Sequence, residues 1–352
     1  MTNQHQQARD GALQIQGAGS VVVNLGEVAR EQAKEIAMQT FRENMLVLAG
    51  AARKIADGRA RDFIDLLIDK LISGFGNLDG FKDPGVLSAV YDAQKGYAET
   101  GDRSLGDLLS DLLVKLAATE GEEQSSRKVI FRQALRCAPY ISASQTRALA
   151  VISIMQYRAP RVSTLEELVE CLDTRLNPFY GKIPINPIEY DHMSACGVGF
   201  QLLGEPAYRQ IASKYPSICY DSFSHDLADR ELRGCDPKYY ESITASENAG
   251  YRFTDAAINK FVVRDESADL VNVINSWAGN SVRDLYQKLA WLPEIIRERI
   301  KELNSGLSLI LDQYDASRAN NFQLTAAGLV IGFQAWKQAA PEMTPDIESL
   351  LD

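Results

Sequence analysis

The sequence predicts a mainly α-helical protein, a multi-helix body behind a short N-terminal β-hairpin or β-repeat segment. Three observations predict it. Apolar residues recur at three- and four-residue steps over long stretches, as Ala33, Ile36, Ala37, Phe41, Met45, Leu48, Ala52 and Ile55 do. Proline and capping side chains mark helix starts, as at Asp83-Pro84. Strict alternation is strongest in Leu13, Ile15, Val21, Val23 and Leu25, around the break Gly17-Ala18-Gly19-Ser20.

That alternating segment is too short to be stable alone, and its open edges need a partner. Leu13, Ile15, Val21, Val23 and Leu25 are therefore the candidate oligomerisation residues, pairing with other copies of the chain. A long helix follows from about 27, with a break at Gly58 and a second apolar face on Phe63, Ile64, Leu67 and Leu71. Helices are expected from Pro84 to about 100, at 102–118 and at 123–138. A very apolar one carries Ala148, Leu149, Val151, Ile152 and Met155. Ser163 and Glu166 read as a capping box. The three prolines between 177 and 187 make an extended connector. Beyond it the pattern gives helices at 190–203, 205–214, 254–263 and 281–303, the last bent at Pro293. The chain divides into a β-forming segment 1–26, an N-terminal helical domain 27–140 and a C-terminal helical domain 141–352.

Near the C-terminus, Gly306 to Leu311 and Asn321 to Thr325 read as two short strands about a turn at 315–320. Thr325 then caps a closing buried helix. Phe322-Gln-Leu-Thr325 running into Ala326-Ala-Gly328 resembles the end of a winged-helix domain, which implies a β-hairpin there and admits DNA binding as an alternative function. The overall plan resembles an uncharacterised group of bacterial proteins. The matching residues are Gln14-Ile-Gln-Gly-Ala-Gly-Ser-Val-Val-Val-Asn24, Phe41-Arg-Glu-Asn44, Asp83-Pro84 and Asp92-Ala-Gln-Lys-Gly-Tyr97. Comparable N-terminal segments occur in bacterial self-assembling and defence-associated proteins, so the resemblance implies assembly in a defence or stress setting. It assigns no catalytic residue.

Composition narrows the functions. A net charge of −10 disfavours a broad nucleic-acid surface, which needs clustered positive charge. Five widely spaced cysteines and a polar, Gln-rich start read as a reduced cytoplasmic protein without a membrane span. No cofactor is expected. Gly17-Ala-Gly19 is followed by Val21-Val-Val23, strand material where a dinucleotide fold needs a helix, and the loop at 73–80 lacks the Lys-Ser/Thr of a P-loop.

No metal is expected either, since the cysteines lack paired spacing. His192 and Cys196 nevertheless share a helix face, and His225 sits among Ser224 and Asp226. An enzyme with a site at 190–240 built on His192 or His225 is thus the second reading. Aromatics crowd 208–253, and Tyr220, Phe223, Tyr239 and Tyr240 are the candidate surface for an unknown protein partner. The first reading is a non-catalytic, homo-oligomerising interaction protein.

Overall fold

The computed structural model describes residues 49–71, 80, 83–119, 125–157, 160–232, 244–247, 250–254, 257–258, 262 and 277–344. The chain is mainly helical. Leu13 to Leu25, Tyr239 and Tyr240 lie outside the described residues. Helix α1 covers 49–71 and runs straight through Gly58, where a break was expected. One glycine costs a helix only about 1 kcal/mol, too little to end it. Helices α2 (Pro84–Thr100), α3 (Arg103–Ala118) and α4 (Ser126–Cys137) follow. Asp83, Asp102 and Ser125 cap them, each side chain accepting from a backbone N–H of the first turn.

Helix α5 (Ala143–Tyr157) comes next, then α6 (Leu165–Leu176). The capping box of α6 lies one residue later than the sequence suggests. Thr164 accepts from Glu167 N, and Ser163 N donates back to Glu167 Oε2 at 2.8 Å. Helix α7 (Pro187–Ala195) is shorter than expected, because Gly197 turns left-handed at φ 77° and sends the chain into strand β1 (Gly199–Gln201).

Helices α8 (Ala207–Lys214) and α9 (His225–Glu231), strands β2 (Thr244–Glu247) and β3 (Gly250–Phe253), and helix α10 (Trp277–Leu289) complete the middle of the chain. The expected long helix bent at Pro293 is two helices, α10 and α11 (Pro293–Leu303), with proline opening the second.

The expected strand at Gly306 to Leu311 is helix instead, within α12 (Ser305–Ala316). Asn304 accepts from Leu307 N at 2.9 Å, and Leu307, Ile310, Leu311 and Tyr314 form one buried stripe at helical spacing. Strand β4 (Phe322–Leu324) exists, but it pairs antiparallel with β1, Gly199 opposite Leu324. The winged-helix-like hairpin is therefore replaced by a helix and a long-range strand pair. As expected, Thr325 caps α13 (Ala326–Ala339), accepting from Gly328 N.

Helix α13 is buried on every side from Ala327 to Trp336, the pattern of a central core helix. It packs most extensively on α5, where Gly332 lets the backbones approach at Leu149 and Ser153. One apolar core runs from Phe63 to Trp336 and joins residues on both sides of position 140, among them Phe131, Leu149 and Phe333. A second, smaller core gathers Tyr220, Phe223, Phe253, Val282, Leu285 and Tyr286. The chain leaves the main body at Cys219 and returns at Trp291. There Trp291 N donates to Cys219 O at 2.9 Å and Asp221 N to Leu289 O at 3.0 Å. The smaller core is thus an inserted lobe on a two-stranded neck.

Half-buried carboxylates on α12 make the fold pH-sensitive in two directions. Arg297 clamps Asp312 through two bonds of 2.9 and 2.7 Å, and Tyr208 donates to the same carboxylate. The arginine holds the Asp312 carboxyl below its usual range, so its contribution is present above pH ~4 and is lost on acidification. Burial raises Asp315 to about 6, although Ala207 N donates to it. Its folded form holds the proton more tightly, so that stabilisation is lost as pH rises through 6. Asp315→Asn is expected to flatten the fall in urea midpoint between pH 4.5 and 6.5, an effect absent if the carboxyl titrates normally.

Candidate functional site

The neck carries a cleft of about 350 Å³. Its walls come from both lobes: the start of α6 (Thr164, Leu165, Glu166), the outgoing crossing (Tyr220, Asp221, Ser222), Arg252 on β3, Trp291 on the returning crossing and Arg299 on α11. Each arginine is held against an aromatic ring. The Arg252 guanidinium lies 4.6 Å from the Tyr220 ring centre and donates to Ser217 O at 2.9 Å. That of Arg299 lies 4.0 Å from the Trp291 ring centre and donates to Asp221 Oδ1 at 3.1 Å. The Trp291 indole N–H donates to the same oxygen at 2.8 Å. Stacking of this kind fixes the direction of a guanidinium that would otherwise sample many rotamers. A second cleft of about 220 Å³ lies elsewhere, between the start of α3 and the end of α13, with Arg147 in its wall.

Tyr220 and Phe223, expected as surface anchors, are 1% and 2% exposed. They are the centre of the inserted lobe, with Phe223 and Phe253 ring centres 4.9 Å apart. Their apolar area favours this core over solvent, and the Tyr220 hydroxyl is satisfied by the Phe253 backbone.

His192 and His225 stand in separate settings. His225 Nδ1 lies 3.3 Å from Asp229 on its own helix, beside the Tyr251 ring. His192 is held by the Gln145 amide, 3.0 Å from Nδ1, and the Cys196 sulfur lies 3.6 Å from Nε2. Gln145 is itself buried and fixed by Ser142 N and Glu189 O. Thiol, imidazole and amide in this order match the logic of a nucleophile, its base and an orienting group. The electrostatics oppose that use. Cys196 sits at the C-terminal end of α7, the negative pole of the helix, and burial pushes its thiol pKa up. Neither histidine lines the neck cleft. Among the described residues, no group of three or more His, Cys, Asp or Glu is placed to hold a metal ion.

A third feature is apolar and exposed. Phe200, Leu202 and Leu203, on and just after β1, are 47%, 56% and 103% exposed. Among the described residues the β1–β4 ladder has two strands, and while the Phe322 carbonyl of β4 accepts from Gln156, β1 keeps an outer edge. Leu202 N donates inward to Asn321 O, directing the flanking residues' backbone groups the other way.

Fold and cleft define a helical protein with a small lobe inserted on a two-stranded neck. The chain belongs to an uncharacterised family whose model matches residues 28–347. No curated protein and no solved structure matches it. No described helix is long and apolar enough to cross a membrane. Arg252, Trp291 and Arg299 escaped the sequence reading because no local motif unites them. Arg252 and Trp291 stand beside a strand or helix terminus, whereas Arg299 lies midway along α11.

Proposed function

We propose that this chain is a non-catalytic interaction protein that assembles with copies of itself. Its N-terminal segment, with Leu13, Ile15, Val21, Val23 and Leu25, supplies a strand, and the outer edge of β1 in another copy receives it. The observation supporting this reading is the exposure of Phe200, Leu202 and Leu203 beside a two-stranded ladder. An apolar strand edge left to solvent is an aggregation hazard that proteins ordinarily cover, and strand addition covers it with backbone hydrogen bonds as well as side chains. The placement with bacterial self-assembling proteins of defence or stress response rests on the resemblance of the N-terminal segment alone.

Size-exclusion chromatography with light scattering tests it. The full chain is expected to run as a multimer, and both a chain starting at Glu27 and the full-length Leu203→Asp variant as monomers. One mass for all three overturns the proposal. The Cys196–His192 pair favours a thiol enzyme as a second reading, and the helix C-terminus beneath the sulfur weighs against it.

A further inference from the structure

We propose that the neck cleft binds a phosphate ester that also carries hydroxyl or amino donors, a nucleoside monophosphate being the simplest example. The inference is independent of self-assembly and rests on four features of the cleft.

Two guanidinium groups reach it from opposite lobes, Arg252 from β3 and Arg299 from α11, each pinned on an aromatic face. Planar guanidinium forks match phosphate oxygens, and arginines held in advance lose little freedom on binding. The twelve-residue helix α6 starts in the same wall. Thr164 takes the Glu167 N–H, which leaves Leu165 and Glu166, both lining the cleft, as the remaining first-turn donors at the positive end of the helix.

The acidic groups of the cleft then decide what else the ligand carries. The Asp221 side chain is 59% exposed and takes both the Trp291 indole N–H and Arg299 on Oδ1, so it positions those groups and keeps Oδ2 as an acceptor for donors on the ligand. Glu166 is a carboxylate in the same wall, and an acceptor there selects a ligand with donors of its own over bare phosphate. A volume of about 350 Å³ has room for a sugar or base beside the phosphate. Trp291 and the serines Ser163 and Ser222 complete a wall suited to such a moiety.

Because the two arginines belong to different lobes, an occupant bridges the neck. Titration of the full chain with adenosine 5′-monophosphate, adenosine and inorganic phosphate, read by calorimetry and tryptophan fluorescence, tests the assignment. The monophosphate is expected to saturate and to bind at least tenfold more tightly than either fragment. Arg252→Gln and Arg299→Gln should each weaken it at least tenfold, while Arg147→Gln, in the other cleft, should leave it unchanged. Circular dichroism and melting temperature confirm that each variant folds. Should adenosine bind as well as its monophosphate, or phosphate alone as well as the ester, the assignment is wrong. It is equally wrong if no phosphate compound saturates at millimolar concentration, or if folded arginine variants bind like the parent chain.

Discussion

Trp336→Ala is expected to lower the unfolding free energy by about 3–5 kcal/mol, the usual cost of deleting a large buried aromatic side chain. Trp336 is wholly buried on α13, with the Phe333 ring 5.4 Å away edge-on and the Arg175 guanidinium 5.8 Å from its ring centre. Among the described residues its indole N–H has no hydrogen-bond partner, so its contribution is one of volume and contact. Trp336→Phe keeps most of that volume and should cost about 1–2 kcal/mol. Guanidinium unfolding monitored by circular dichroism separates the two. Equal losses would show that the indole contributes through something other than bulk.

Gly332→Val is expected to cost about 2–3 kcal/mol by overpacking the α5–α13 crossing. A Cβ at this position would fall on the Leu149 backbone carbonyl and the Ser153 hydroxyl. Backbone atoms inside a helix cannot swing aside as a side-chain tip can. Gly332→Ala is the sharper comparison. In an open helix the change stabilises by about 1 kcal/mol. Here it should destabilise, and the sign of the shift in denaturation midpoint decides whether the close approach governs the site.

The helical class and most caps were legible, because caps and amphipathic stripes are local. Asp83 and Thr325 stand where the sequence placed them, and the apolar run from Ala326 to Trp336 is the closing buried helix it suggested. Misreadings arose where local patterns are degenerate. Leu307, Leu309 and Leu311 alternate like a strand, yet Leu307, Ile310, Leu311 and Tyr314 also follow the helical period. Leu309, 69% exposed, faces away from that helical stripe. Strand β1 escaped notice because three residues around Gly199 carry almost no pattern, and its partner lies more than 120 positions away. The tyrosine-rich stretch was visible as a cluster, but composition does not say which side of the cluster faces water. Tyr220 and Phe223 turned inward because the inserted lobe needs a core of its own.

The neck has a consequence for the history and engineering of the molecule. Cys219 and Trp291 are already hydrogen-bonded neighbours, so the main body closes on itself at the point where the lobe departs. A connection of a few residues suffices to bridge that gap, and among the described residues the body's own apolar centre, running from Phe63 to Trp336, takes none from Tyr220 to Ala290, with Trp291 packed against its rim. The lobe is thus a module that can be gained, lost or exchanged without re-routing the host chain. A lineage lacking it would keep the body and Arg299 but forfeit Arg252, and with it one jaw of the cleft.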